Sequence, residues 1–251
     1  MENHPNSIVA VQFHMNDAYD IPFSYTRGTF YGIVGVPTTW FDGVIERVNI
    51  QPSESQTYTW FEDAMNARLG VPTDVTIDAA VERVGFRQYR VAATIAVEPG
   101  GVDKDMVVHF LQVLDHYPSS ADNRYRNAAR AHAEAAETVP AGGAKLVYSD
   151  VFALDDVDWQ HHDQARFVVW VQQPAAFGPA EVYQATVVDL PPYVEGDADG
   201  DGDVDLADLA ILLGAYGTCQ GDAGYDGRAD FNGDECVDLV DLALMLGNYG
   251  T

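Results

Sequence analysis

The sequence predicts a multidomain α+β protein. Three observations carry that prediction. The C-terminus is an acidic direct repeat with helically spaced apolar residues, the centre alternates apolar with polar residues, and the front end mixes helical and strand patterns. The chain has 251 residues, room for one large domain or two to three small ones. Hydrophobic residues make up 47% of it, enough for packed cores and too many for a disordered acidic polymer. Thirteen basic residues against 39 acidic ones leave a net charge of −26. Such a charge repels phosphate backbones and anionic lipid, so nucleic-acid and anionic-membrane binding are not expected. No apolar run approaches the roughly 20 residues that cross a bilayer, so no membrane span is expected. The patterns place a mixed unit at 1–70, a β-rich stretch at 71–190, a linker at 191–195 and the repeat at 196–251.

In the first unit, residues 7–13 read as a short buried strand. Residues 22–31 suit a helix. Asp42-Gly43 is a hairpin signal between two strands, the second at 44–48. Ser53 with Gln56 forms a capping box for a helix whose apolar face is Tyr58, Phe61, Met65 and Leu69. This order, with Val36-Pro37-Thr38 leading into the hairpin, resembles the second half of a thioredoxin fold. The resemblance implies that Pro37 is the cis-proline of that family; the alternative is an ordinary trans proline opening an edge strand. The family's first strand, first helix and Cys-x-x-Cys have no counterpart, and no cysteine precedes Cys219. Without a thiolate there is no dithiol exchange. The expectation is therefore a truncated thioredoxin-like α/β unit. The opening residues carry no basic and apolar leader pattern, so a leader and the first βα unit are expected upstream of Met1.

The middle holds six strand candidates, at 75–84, 89–97, 106–114, 145–152, 165–171 and 182–188. Tyr89, Val91, Ala93, Ile95 and Val97 alternate cleanly and mark one buried face. Residues 128–137 read as a short helix in a long connection. An antiparallel β-sandwich fits this pattern, and its order is similar to the sandwich that follows a thioredoxin-like part in some bacterial envelope proteins. Ligand-type residues here are sparse. His161-His162-Asp163 reads as a solvated loop rather than a metal site, and Asp155, Asp156 and Asp158 as an acidic loop. His109 and His116 flank Asp115 without implying a pair, since neighbouring strand residues face opposite sides. Trp60, Trp159 and Trp170 could line a sugar platform, but such residues are more often core or rim. No catalytic motif is present.

Charge concentrates in the tail, where residues 195–251 hold fourteen acids and one base, Arg228. Residues 197–217 and 230–250 align without a gap at an offset of 33. In each copy oxygen donors fall at positions 1, 3, 5, 9 and 12 of a twelve-residue loop, and position 7 offers its carbonyl. This is the spacing of an EF-hand calcium loop, in which a hard cation takes six to eight oxygens. The first set is Asp197, Asp199, Asp201, Asp205 and Asp208 with the carbonyl of Asp203. The second is Asp230, Asn232, Asp234, Asp238 and Asp241 with the carbonyl of Cys236. Position 6 is Gly202 in the first loop and Glu235 in the second. A non-glycine residue in the left-handed conformation costs roughly 1–2 kcal/mol, so the second of the two calcium sites is expected to be weaker. Each loop runs into one helix. Leu206, Leu209, Leu213 and Tyr216, with their counterparts 33 residues on, form stripes that could face each other. Cys219 and Cys236 are expected to pair, since the module is small and holds both cysteines of the chain; two buried free thiols are the alternative.

Residues 196–250 resemble a type I dockerin, the calcium-binding module that plugs extracellular proteins into a cohesin. The resemblance implies two Ca2+ ions, a cohesin-type partner and an extracellular or cell-surface location. The family often has Ser-Thr at loop positions 10 and 11, where this chain has Leu206-Ala207 and Leu239-Val240, so the identity of the cohesin is open. The function expected is calcium-dependent attachment of a non-catalytic cargo with a protein or carbohydrate ligand. The alternatives are a component of polysaccharide degradation and a thioredoxin-like redox protein shortened at its front.

Overall fold

The computed structural model describes residues 8–17, 19–115 and 126–251. They form a mixed α+β chain. In chain order the elements are α1 (Pro22–Phe30), β1 (Thr38–Phe41), β2 (Ile45–Val48), α2 (Glu54–Leu69), β3 (Val75–Gly85), β4 (Gln88–Val97), β5 (Lys104–Leu114), β6 (Ala128–Val139), β7 (Ala144–Tyr148) and β8 (Phe152–Ala153). There follow α3 (Asp156–Gln160), β9 (Ala165–Gln172), β10 (Val182–Asp189), α4 (Leu206–Ala215), β11 (Thr218–Cys219), β12 (Cys236–Val237) and α5 (Leu239–Gly247). One four-stranded sheet has the order β10-β9-β5-β6, and the other β3-β4-β7, with β8 pairing β4. No helix among the described residues is long and apolar enough to cross a membrane.

The chain divides into two compact units, and the division is not colinear with the sequence. One unit takes residues 1–79, 93–147 and 166–188. The other takes 80–92, 148–165 and 189–251. The break at 188/189 falls beside the boundary expected at 190, whereas none falls at 70, and β3 and β4 are long strands whose two ends belong to different units.

In the first unit β5 is buried almost throughout. A strand buried on both faces reads as a near-continuous apolar run, and Met106–Leu114 is apolar at all but His109 and Gln112. Leu111, Val113, Ala129, Val168 and Trp170 make one core cluster, and Val9, Val11, Phe13, Ile21 and Phe23 pack onto it. The alternation of residues 8–13 therefore serves packing, and no strand forms there. Gln12 makes one isolated parallel bridge to Ala128, with its backbone N–H donating to Asn127 O at 3.0 Å. Met1 to Ser7 lie outside the described residues.

The helix expected at 128–137 is instead strand β6, antiparallel to β5 from Lys104↔Val139 to Leu114↔Ala128. Alanine favours a helix by only a few tenths of a kcal/mol per residue. A ladder along a buried strand outweighs that, and small side chains fit the covered positions Ala128, Ala129 and Ala133. The β1–β2 hairpin turns at Asp42 and Gly43, both at positive φ. A Cβ on Gly43 would lie 2.0 Å from Ala180 O, so the turn requires glycine. The Val36–Pro37 peptide is cis. Ser53 caps α2 by accepting the Gln56 N–H, while the Gln56 side chain meets the Ser53 hydroxyl rather than its N–H. Helix α2 buries Ala64 and Met65; Tyr58 and Leu69 of the expected apolar face are exposed.

In the second unit the repeat builds its own core from Ala198, Val204, Leu212, Ala215, Ala229, Phe231, Val237 and Met245. Six of these are three pairs at the offset of 33: 198 with 231, 204 with 237, and 212 with 245. The expected facing stripes are not what packs. Leu206, Leu213 and Tyr216 are 69%, 57% and 45% exposed, and Leu239, Leu246 and Tyr249 are 67%, 57% and 44% exposed. Only Leu209 and Leu242 of those stripes join the core, and only in part. Each helix turns the neighbouring stripe inward because position 12, Asp208 or Asp241, is itself fully buried and sets the rotation. Cys219 and Cys236 are cross-strand partners of β11 and β12 and are joined by a disulfide of 2.07 Å.

Candidate metal centres

The two loops share one hydrogen-bond pattern, copied at the offset of 33. Asp197 accepts from the backbone N–H of Gly200 and Gly202, at 2.6 and 3.0 Å, and Asp230 from those of Gly233 and Glu235, at 2.8 and 3.0 Å. Asp208 accepts from Ala198, Asp199 and Asp205 at 2.7, 3.0 and 2.8 Å. Asp241 accepts from Phe231, Asn232 and Asp238 at 2.8, 3.3 and 2.8 Å. The residues at positions 3, 5 and 9 each take one N–H two places on: Asp199 and Asn232, Asp201 and Asp234, Asp205 and Asp238. Asp205 and Asp238 are also the N-caps of α4 and α5, each within a full capping box. The acids at positions 1 and 12 are buried in both copies. Their burial is tolerable because backbone donors satisfy them.

The donor set of the first loop fits a hard cation. Carboxylate oxygens of Asp197, Asp199 and Asp208 converge within 4.8 Å, and so do those of Asp203, Asp205 and Asp208. Burial, then repulsion from Asp208, Asp201 and Asp197, pushes the Asp199 carboxyl above the usual range. Repulsion from Asp201 does the same to Asp203. In the second loop burial raises Asp230, against the pull of its hydrogen bonds from Gly233 and Tyr225. Carboxylates that repel one another in this way are what a divalent ion relieves. Asp203 and Cys236, at position 7, place their carbonyls in the chain at matching points of the two loops. The loops differ at position 6. Gly202 has φ +100°, a region open to glycine, and Glu235 takes up φ +69° as a non-glycine residue. They differ also at position 3, where the Asn232 amide donates to Asp234 at 2.9 Å.

A basic contact that sequence patterns do not reveal lies behind these loops. The Arg83 guanidinium donates to Asp197 O and to Arg228 O, the latter at 3.0 Å, and sits 5.7 Å from the rings of Tyr193 and Phe231. It joins the entry points of both loops from more than a hundred residues away.

The other candidates separate. Asp155 caps α3 by accepting the Asp158 N–H, so that acidic run is a short helix rather than a loop. His161 precedes a 3₁₀ turn, and His162 stacks on Trp159 with ring centroids 5.1 Å apart. Trp60 packs under Arg47 and Trp159 under Arg87. Asp115 is paired with Arg126; His116 lies outside the described residues. His109 has a partner that the linear pattern hides: its Nδ1 is 3.1 Å from His132 Nε2 on β6. Burial holds both imidazoles below the usual range, His132 at about 3. The first unit also has an open cavity of about 680 Å3, lined among others by Phe13, Arg27, Tyr31, Trp40 and Trp170.

No protein-family model matches the chain, and no curated protein matches it. Among solved structures, HBP35 of Porphyromonas gingivalis is similar with a TM-score of 0.53 at 12% identity, covering 66% of this chain and 56% of that one. The match thus spans a little over half the length of that protein. A domain of the outer membrane lipoprotein Omp28 from Porphyromonas gingivalis is similar with a TM-score of 0.36 at 16% identity, covering 49% of this chain and 94% of that one. At 12% identity the likeness to HBP35 is one of fold.

Proposed function

We propose that residues 196–251 are a dockerin-type attachment module that binds two calcium ions and docks a cohesin-type protein, outside the cell or at its surface. The observation that carries this reading is the duplicated carboxylate cradle: five oxygen donors per loop, with the same backbone bonds in both copies. Six large apolar side chains left exposed as matched pairs, Leu206 with Leu239, Leu213 with Leu246 and Tyr216 with Tyr249, offer a protein partner two equivalent faces. Exposed apolar faces of this kind mark interaction surfaces. Asp197, Asp199, Asp201, Asp205 and Asp208 would hold one ion, and Asp230, Asn232, Asp234, Asp238 and Asp241 the other, each with the carbonyl of position 7. Calcium would supply the charge that the loops lack and lock both helix starts.

The remainder of the chain is, in this reading, a non-catalytic cargo. The cavity in the first unit favours a ligand of its own. Ser24, Arg27 and Trp40 are among its lining residues, and each carries a buried polar atom, Oγ, Nε and Nε1, without a hydrogen-bond partner among the described residues, beside aromatic walls that suit a sugar. Calorimetric titration of the full chain with calcium tests the principal reading. Two binding events, with a gain of helical signal and calcium-dependent retention on immobilised cohesins, support it. Absence of binding heat refutes it.

A further inference from the structure

We propose that His109, His132 and Glu134 form a site for a zinc-type divalent ion, distinct from the carboxylate loops. The three belong to paired strands of the first unit. His109 lies directly across from Glu134, and His132 is two residues from Glu134 on the same strand, so all three project from one face. Their donor atoms converge. His109 Nδ1 is 3.1 Å from His132 Nε2 and 3.3 Å from Glu134 Oε2, and His132 Nε2 is 3.7 Å from that same oxygen. A circle through three points so spaced has a radius of about 2.0 Å, the length of a zinc–nitrogen or zinc–carboxylate bond. An ion roughly half an ångström from that centre, out of the plane of the donors, lies at zinc bond lengths from all three. Three protein ligands leave one tetrahedral position open for water.

The rings are already held for this. Phe23 stacks on His132, with centroids 3.3 Å apart and planes 7° off parallel, and Trp170 stacks on His109 at 4.5 Å and 16°. Little side-chain freedom is left to lose on ligation. Both histidines are largely buried, while the Glu134 side chain is 55% exposed and gives an ion its way in from solvent. Binding needs each ring proton on the nitrogen away from the ion. The N–H···N contact between the rings gives way, and two neutral imidazoles bind without net proton release. The Arg27 charge acts against a cation here. The two imidazole nitrogens, not that charge, favour a zinc-type ion over calcium or magnesium, which take oxygen ligands.

The test uses the full chain, stripped of metal and saturated with calcium, then titrated with zinc. One zinc per chain is expected, with affinity lowered at least about tenfold by His132→Gln and by Glu134→Gln, and unchanged by His161→Gln/His162→Gln. No zinc binding by the wild type, or equal binding by the folded His132→Gln variant, overturns the proposal and leaves the cluster as a buried hydrogen-bonded pair. Should the variant not fold, zinc-edge X-ray absorption on the wild type decides. Two nitrogen neighbours of imidazole type at about 2.0 Å support the site, and an all-oxygen or single-imidazole shell overturns it.

Discussion

Asp208→Ala is the sharpest probe of the loop architecture. The carboxylate is fully buried and takes three backbone N–H bonds, at 2.7, 2.8 and 3.0 Å. Hydrogen bonds to a charged group contribute about 1.5–3 kcal/mol each, and members of one network do not add in full, so the loss should be about 3–5 kcal/mol. Three orphaned donors would be left next to the first turn of α4, whose capping box also disappears. A unit of this size loses roughly 4–8 °C in Tm per kcal/mol, so its unfolding should fall by about 12 °C or more in chelator. Asp203→Ala removes the same charge from the same loop, at an exposed position whose carboxyl is repelled by Asp201. It should not lower the transition. Calorimetry and circular dichroism of the two variants, without calcium, make the comparison. If Asp208→Ala melts together with Asp203→Ala, the inward acid is not what organises the loop, and the reasoning fails.

Glu235→Gly should stabilise the second loop by up to about 1 kcal/mol and tighten calcium binding there, because it removes a left-handed non-glycine residue; an isothermal titration that resolves two sites would show the weaker one strengthen. Arg83→Met should destabilise the second unit by about 1–3 kcal/mol through two orphaned carbonyls, measured by urea unfolding. The hydrogen bond and charge of Arg228 hold the Asp226 carboxyl below the usual carboxylate range. A lowered acid contributes stability above its unfolded value of about 4, and that contribution disappears as pH falls through the folded value. Arg228→Gln should therefore cost well under 1 kcal/mol at neutral pH, since the pair is partly exposed, and its difference from wild type should shrink toward zero in acid unfolding curves as pH falls through the folded value.

Much of this protein was legible from local order. The loops declare themselves because all their donors lie within twelve consecutive residues, and the start of α2 because Ser53 and Gln56 lie within one turn. The strand at 89–97 follows from period-two burial, and that at 106–114 from a largely apolar run. Residues 128–139 misled because alanine carries a weak helical preference, and only a partner strand with a compatible register overrides it. The inward stripe of α4 and α5 was hidden for a related reason: two apolar stripes run along each helix, and spacing alone does not say which one meets a core.

The sequence by itself determined the duplicated oxygen spacing, the cap of α2, the turn at Asp42-Gly43 and most strands, since each depends on contacts between residues a few places apart. Tertiary structure decided that β6 is a strand, that His109 meets His132 and Glu134, that Arg83 reaches the loop entries, and that Leu206 and Leu239 stay in solvent. Those outcomes depend on pairings between distant segments, and the free energy that selects them lies in shared burial and hydrogen bonds that no short window of sequence contains.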